Sequence, residues 1–265
     1  MARRKVRFLC NLGDSIAREV CFTGMYEPLE TRCAHAFLKP GDTFVDVGAN
    51  WGYFSLLAAC LVGDSGQVIA LEPEPTLHRQ LTENIEENRF QHVRALRVAA
   101  SDSKGEARFS GSSEQHGNSG LNRLLTETSA QPQHGITAPT DTLDALLETE
   151  QLGRIALLKM DIEGAEAVAV PGLEQTLARR LIDRILLEIH PELVLGFGKT
   201  LQTICAQFLK HGYEAYVIPH GTAEARNHYY SSPTAPLPKL RPWDGKDQQG
   251  AWPHFLFTLP KGQLQ

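Results

Sequence analysis

Short apolar runs recur along the chain and are separated by segments with helical spacing. The first three predicted strands are Thr43–Val45, Gln67–Leu71 and Val93–Ala100. Between the second and third, Leu77, Leu81 and Ile85 recur four residues apart, which predicts one buried face of a helix over residues 74–88. Strands that alternate with helices predict a parallel sheet with right-handed crossovers.

The second half of the chain continues this alternation. Its predicted strands are 155–161, 184–191, 213–218 and 254–259, and its predicted helices are 168–181 and 201–211. The last two strands are joined by a segment rich in Pro, Gly and charge without a helical pattern, so the final strand can be antiparallel. The pattern therefore predicts an α/β fold, a three-layer Rossmann-like sandwich with a seven-stranded, mostly parallel sheet.

Two polar segments and the N-terminal region define the predicted domain organisation. Residues 1–40 are expected to form a helical cover, and residues 41–265 a single domain. The polar insert 110–139 is rich in Gly, Ser, Gln and Asn, and a loop of that length is either functional or a mobile surface insertion. The loop 221–253 is the second segment expected to carry specificity.

Composition narrows the range of partners. The 265 residues carry 26 Lys and Arg against 31 Asp and Glu, a formal net charge of -5, so no overall positive field favours nucleic acid. The five cysteines lack C-x-x-C spacing, which is typical of reduced thiols. No apolar run approaches the roughly 18 residues of a membrane helix. We expect a soluble, cytoplasmic protein without a nucleic-acid or membrane partner.

The residues after the first strand, Asp46 to Gly52, are typical of a turn that binds a nucleotide-like ligand at a helix N-terminus. A dinucleotide fingerprint requires G-x-G-x-x-G, whereas this turn has G-x-x-x-G, so a pyrophosphate is not favoured. S-adenosylmethionine carries an ammonium and a carboxylate beside its adenosine. Its site requires an acid and a close backbone approach, which Asp46 and Gly48 supply.

Acidic residues also end the next two strands. Glu72 follows the second strand at the separation, about 20 residues, at which nucleotide sites place a ribose-binding acid. Pro73 ends that strand and offers an apolar edge to the adenine. Ser101 and Asp102 follow the third strand, where they could bind the adenine amine. These residues predict the cofactor half of a site.

The ends of the fourth and fifth strands predict the reacting half. The segment from Lys159 to Glu166 places Lys159, Asp161 and Glu163 at one strand end, and Glu188 and His190 share a face of the next strand. Asp161 and His190 could meet across a methyl group, one as general base and the other orienting it or the substrate. This cluster of glutamate and histidine could instead hold a divalent cation.

Several motifs together resemble the FkbM family of S-adenosylmethionine-dependent methyltransferases. They are the segment around Glu27-Pro28, the D-V-G-A-N-W-G turn, Leu71-Glu72-Pro73, K-M-D-I-E-G-A-E from Lys159, and Glu188-Ile189-His190-Pro191. The resemblance implies a class I methyltransferase fold that uses S-adenosylmethionine to methylate a hydroxyl, often on a sugar or a polyketide-like natural product.

The resemblance also assigns the expected residues. Around the cofactor it implies Glu27, Asp46, Gly48, Asn50, Glu72 and Asp102, to which the strand ends add Gly52, Pro73, Ser101 and Asp161. Facing the acceptor are Asp161, Glu163 and His190, with Lys159 beside them. A small-molecule acceptor is expected. N-methylation of an amine and a non-catalytic cofactor-binding relative remain alternatives, and the oligomeric state is open, a homodimer included.

Overall fold

The computed structural model describes residues 6–110, 124–125, 135–219, 232–246 and 252–260. The helices are α1 Ser15–Thr23, α2 Pro28–Phe37, α3 Tyr53–Val62, α4 Pro75–Glu87, α5 Leu143–Thr149, α6 Glu166–Ala169, α7 Glu174–Ala178, α8 Pro191–Leu195 and α9 Leu201–Leu209, with a 3-10 helix over Val170–Leu173. The strands are β1 Thr43–Val47, β2 Gln67–Leu71, β3 Val93–Leu96, β4 Ala99–Ser101, β5 Gly105–Ser110, β6 Gly135–Thr142, β7 Leu157–Met160, β8 Arg184–Glu188, β9 Glu214–Ile218, β10 Arg241–Pro242 and β11 His254–Thr258.

The main sheet has the strand order β10-β9-β11-β8-β7-β1-β2-β3. The five strands from β8 to β3 pair in parallel, and β11 pairs antiparallel with both β8 and β9. The predicted α/β class, mostly parallel sheet and reversed last strand are therefore confirmed. The sheet contains one strand more than predicted, because β10 pairs with the outer edge of β9.

The third predicted strand was wrong in its extent. Pairing with β2 ends at Leu96, and residues 99–101 form β4, which instead pairs with β6 in a three-stranded sheet of order β4-β6-β5. The apolar pattern continues through the break, so it could not show that the chain changes its pairing partner. The second sheet places Ala99 and Ala100 beside the carboxyl ends of the main strands.

The predicted helix 168–181 is broken into α6, the 3-10 helix and α7. Pro171 lies at the break, and a proline has no N–H to donate to the helical ladder. Gly172 approaches β4 so closely that a Cβ would overlap the carbonyl oxygen of Ser101. The interruption therefore packs this segment against the second sheet.

Side-chain alternation along the strands builds a core on each face of the main sheet. Val45, Val47 and Ile69 belong to one core, which also contains residues of α5, α7 and α9. Phe44 and Val68 belong to the other, which α2, α3 and α4 cover. The N-terminal segment joins this second core through Phe8, whose ring packs against those of Trp51 and Tyr53.

The two polar segments are described in part. Residues 111–123 and 126–134 of the insert lie outside the described residues, and residues 135–139 belong to β6. In the loop 221–253 the described residues 232–246 contain β10 and no helix. Across the described ranges, no helix combines the length and apolar character needed to cross a membrane.

Candidate functional site

A cleft opens at the carboxyl ends of the parallel strands, and its empty space, including the open mouth, measures about 1190 Å³. Its described lining comes from both predicted halves of the site. It comprises Ile16, Tyr26, Asp46–Trp51, Tyr53, Phe54, Leu71–Pro73, Leu77, Val98–Ala100, Phe109, Lys159, Asp161–Glu163, Ala165, Glu188 and Trp252. This is the edge at which open α/β sheets bind their ligands.

The turn after β1 is shaped by close backbone contacts. Gly48 has φ 88°, and a Cβ at this position would overlap the carbonyl oxygen of Asp161. The N–H groups of Gly48 and Ala49 both donate to the carbonyl oxygen of Leu71. The turn is therefore fixed between β2 and the end of β7, and only glycine suits position 48.

Two further positions complete this turn. Asn50 adopts a left-handed conformation with φ 53°, and Gly52 begins α3 with φ 103°. A Cβ on Gly52 would lie 2.6 Å from Leu81 Cδ1, so Gly52 allows α3 to pack on α4. Asp46, at 2 % exposed, accepts a hydrogen bond of 2.6 Å from Ser55 Oγ, and burial raises the pKa of Asp46.

Glu72 links the ends of β1 and β2. Its Oε2 accepts the N–H of Asn50 at 2.8 Å, and its Oε1 accepts the N–H of Glu74 at 2.9 Å. Burial raises the pKa of Glu72 to about 7, although both backbone hydrogen bonds lower it. A carboxylate oxygen can accept two hydrogen bonds, so each oxygen retains acceptor capacity beside the cleft.

This half of the cleft fits S-adenosylmethionine. The Glu72 carboxylate would accept the two ribose hydroxyls, and Pro73 with Val98, Ala99 and Ala100 provides an apolar wall for the adenine. Asp46 would supply an acid for the ammonium of the methionine moiety. The bound cofactor would supply an electrophilic methyl group on a sulfonium.

Lys159 is buried in a group of acids between the two halves. Its Nζ lies 3.5 Å from Glu27 Oε2 and 3.3 Å from Asp161 Oδ2, and 4.7 Å from the centre of the Phe54 ring. Burial alone would lower the pKa of Lys159, but Glu27, Asp161 and Asp46 raise it above its ordinary value. Lys159 is only 6 % exposed, so its charge is compensated by these acids in the protein interior.

The acceptor half gathers three acids and a histidine. Asp161 and Glu163 line the cleft with side chains 22 % and 15 % exposed. His190 is buried behind them, with Nε2 at 3.5 Å from Glu163 Oε2 and 3.4 Å from Glu188 Oε1. The structure therefore brings Asp161, Glu163 and His190 together, as the strand order predicts.

Some predicted cofactor residues do not line the cleft. Glu27 is 1 % exposed at the start of α2, where it pairs with Lys159. Ser101 ends β4, and Asp102 is exposed, with its Oδ1 accepting from Ser103 Oγ at 2.9 Å. Gly52 serves the packing of α3 instead. Glu27, Gly52, Ser101 and Asp102 are therefore not among the described residues that line the cleft.

Sequence reasoning missed three residues near the acceptor half. Trp252 lines the cleft, and its ring centre lies 5.0 Å from that of His190. His254 on β11 lies between Glu30 and Glu188. Alternation along β11 predicts which face a residue occupies, but no sequence signal pairs that face with a helix more than 200 residues earlier.

The strand order, the reversed strand and the cleft define a class I methyltransferase. The model of the family described as the Methyltransferase FkbM domain matches residues 46–215. The chain therefore belongs to this family and is an S-adenosylmethionine-dependent methyltransferase. No curated protein matches the chain.

Among solved structures, the chain is similar to a putative rRNA-methylase from Clostridium thermocellum, at 12 % identity and TM-score 0.47, over 90 % of this chain and 99 % of that one. It is also similar to a SAM-dependent methyltransferase from Aquifex aeolicus, at 12 % identity and TM-score 0.46, over 93 % and 94 %. A SAM-dependent O-methyltransferase from Thermotoga maritima shows 13 % identity and TM-score 0.43, over 92 % and 71 %. Similarity this distant says nothing about the acceptor.

Proposed function

We propose that this methyltransferase methylates a hydroxyl of a small molecule and that Asp161 accepts the hydroxyl proton. The observation that carries the proposal is the position of Asp161. Its backbone packs against Gly48 of the cofactor turn, and its partly exposed carboxylate lines the cleft. An acid placed there can accept a proton from a hydroxyl that attacks the methyl group in line with its bond to sulfur.

The neighbours of Asp161 orient the reacting groups in this proposal. The ammonium of Lys159 donates to Asp161 Oδ2 at 3.3 Å and fixes the direction of the carboxylate. Since His190 Nε2 lies between oxygens of Glu163 and Glu188, that nitrogen carries a proton and does not accept one from the cleft. His190 therefore orients Glu163, which binds the acceptor hydroxyl beside Asp161.

The charges of the cleft favour an acceptor without phosphates. Five carboxylates line its described part, those of Asp46, Glu72, Asp161, Glu163 and Glu188, whereas Lys159 is the single lysine or arginine among these lining residues. Such a surface repels a nucleic-acid backbone, whose affinity for proteins depends on Lys and Arg contacts to phosphates. The proposed acceptor is a sugar or another small natural product with a free hydroxyl, and we propose no nucleic-acid substrate.

N-methylation is the second candidate function. The acidic lining that repels phosphate would also attract the ammonium form of an amine. An amine attacks in its neutral form and needs less help from a base, so the two reactions differ in their dependence on Asp161.

A divalent-cation site is the less favoured interpretation of the acids in the cleft. Their oxygens are already close to protein cations, since Asp161 faces Lys159 and Glu188 faces His254. We therefore propose transfer without a metal. Addition of a chelator should leave the rate of methyl transfer unchanged.

The test uses pairs of small molecules that differ only in a hydroxyl or an amine at one position. Formation of S-adenosylhomocysteine from the hydroxyl member is expected, and Asp161→Asn should lower its rate about 10²-fold or more. The control Asp64→Asn removes an exposed carboxylate that lies beside His92, outside the cleft, and should keep the rate. Turnover of the amine members alone, with Asp161→Asn as active as the native enzyme, would contradict the proposal.

A further inference from the structure

His254 on β11 is a buried histidine with a carboxylate at each ring nitrogen. Its Nδ1 lies 2.8 Å from Glu30 Oε1, and its Nε2 lies 3.3 Å from Glu188 Oε2. A neutral imidazole carries one N–H, so one nitrogen would direct a lone pair at a carboxylate oxygen. Only the imidazolium form directs an N–H at both oxygens, and the geometry therefore favours a protonated His254.

Acidic groups outnumber cationic groups around His254. Ligand-type atoms of Glu27, Glu188 and His254 lie within 4.8 Å of one another, and Lys159 lines the same small buried space as Glu30 and His254. Burial lowers the pKa of His254, but Glu188 and Glu30 raise it well above the ordinary value. Burial likewise opposes ionisation of Glu188, yet the nearby His254, His190 and Lys159 lower the pKa of Glu188 to about 2.

The contacts continue from His254 to the cleft. Glu188 faces His254 with Oε2 and His190 with Oε1, the second distance being 3.4 Å. His190 Nε2 is then 3.5 Å from Glu163 Oε2. Acids and histidines thus alternate from Glu30 on α2 to Glu163, which lines the cleft.

We propose that Glu30 and His254 are positioning residues for the acceptor half of the site. Together they hold Glu188 as an oriented anion, Glu188 fixes the N–H of His190, and His190 aims Glu163 at the acceptor. This inference rests on the proposed role of Glu163 in hydroxyl binding. Both positioning residues lie outside residues 46–215, the part that matches the family model. The N-terminal helix α2 and the last strand would then serve the site directly and not only cover the sheet.

The experiment is a histidine-detected NMR titration of the full chain, labelled with ¹⁵N in its imidazole rings and saturated with S-adenosylhomocysteine. In the native protein, His254 should give imidazolium signals up to pH 8, and His190 should carry its proton on Nε2. Glu30→Gln should lower the titration midpoint of His254 by about one pH unit or more, because an opposite charge at this distance shifts a pKa by that amount. It should also shift the His190 signals through Glu188.

The control is His92→Gln, since the His92 side chain is also buried but lies beside Asp64, next to the amino ends of β2 and β3. This variant should leave the signals of His254 and His190 in place. A neutral His254 at pH 7 would overturn the inference. This result comes from the native protein alone, so it does not depend on whether a variant folds. If Glu30→Gln leaves the His190 signals unchanged, the inference is also overturned. These NMR measurements need no acceptor and test only the positioning role of Glu30 and His254. The proposed function is tested separately, by the methyltransferase rate of Asp161→Asn.

Discussion

Gly48 and Asp161 are in backbone contact, so that a Cβ on Gly48 would overlap the Asp161 carbonyl oxygen. This contact joins the cofactor turn after β1 to the acid at the end of β7. It brings the two motifs, more than 100 residues apart in sequence, to the same cleft. In the proposed reaction, the distance between the methyl donor and Asp161 therefore depends on a position that tolerates no side chain.

Gly48→Ala should both destabilise the protein and weaken cofactor binding. The new methyl group meets backbone that cannot move aside, and φ at this position is 88°, so a loss of roughly 3 kcal/mol in the free energy of unfolding is expected. Gly24→Ala is the control, because Gly24 adopts a left-handed conformation, with φ 81° and ψ 0°, and has no atom within 4 Å of an added Cβ. That change should cost about 1 to 2 kcal/mol, the penalty of the left-handed conformation alone. Equal losses in urea unfolding would show that the contact with Asp161 is unimportant.

Lys159→Met should destabilise the protein by about 3 to 5 kcal/mol, because it leaves buried carboxylates without their cation. The least exposed carboxylate that pairs with Lys159 is Glu27, whose Oε2 lies 3.5 Å from Lys159 Nζ. Burial raises the pKa of Glu27 to about 8, so Glu27 is ionised only above that pH. There, adding Glu27→Gln removes one of these charges, and the double variant should be more stable than Lys159→Met alone. Chemical denaturation of both single variants and the double variant measures this coupling. Strictly additive losses would mean that Lys159 and Glu27 do not interact.

Glu166 should make stability depend on pH. Its carboxyl is fully buried, Oε1 accepts the N–H of Ile162 at 3.0 Å, and burial raises the pKa of Glu166 to about 8. A raised pKa means that the folded state keeps a proton which the unfolded chain releases. The stabilisation is therefore complete below the ordinary pKa of 4.5 and is lost as the pH rises towards 8.

The comparison variant is Glu166→Gln, which retains the shape but cannot ionise. Between pH 5 and pH 8, the free energy of unfolding of the native protein should fall more steeply than that of Glu166→Gln. Parallel curves for the two proteins would contradict the assignment of a raised pKa to Glu166.

The positions of many cleft-lining residues were predictable from sequence because each motif lies at the end of one strand. The turn from Asp46, the acid Glu72 and the group around Asp161 needed only the rule that parallel strands end at the same edge of a sheet. The reversed last strand followed from the absence of a helical pattern before it. These features depend on short segments and on the topology of a common fold.

Other features depend on tertiary contacts that no short pattern contains. The break between β3 and β4 arises from pairing with β6, and Lys159 is buried beside Glu27, which directly precedes α2. Glu30 and His254 meet across 224 positions of sequence, since 254 minus 30 is 224. Alternation assigns each of these residues to a face, but which residues meet there depends on the packed structure.

We expect cofactor binding to depend most on Glu72, whose two carboxylate oxygens accept hydrogen bonds from the N–H groups of Asn50 and Glu74. Since burial raises its pKa to about 7, the carboxylate is ionised above that pH and protonated below it. The affinity for S-adenosylhomocysteine should therefore fall as the pH decreases from 8 to 6. In Glu72→Gln this dependence should be absent.

The most direct measurement is calorimetric titration of the native protein, Glu72→Gln and Glu74→Gln with S-adenosylhomocysteine at pH 8. Glu74 is the matched control, because it caps α4 through Leu77 and does not line the cleft. The account predicts that Glu72→Gln raises the dissociation constant about 10- to 100-fold, as expected for hydrogen bonds to a charged group, whereas Glu74→Gln leaves it within about twofold. Native affinity in Glu72→Gln, or no binding by the native protein, would contradict the account.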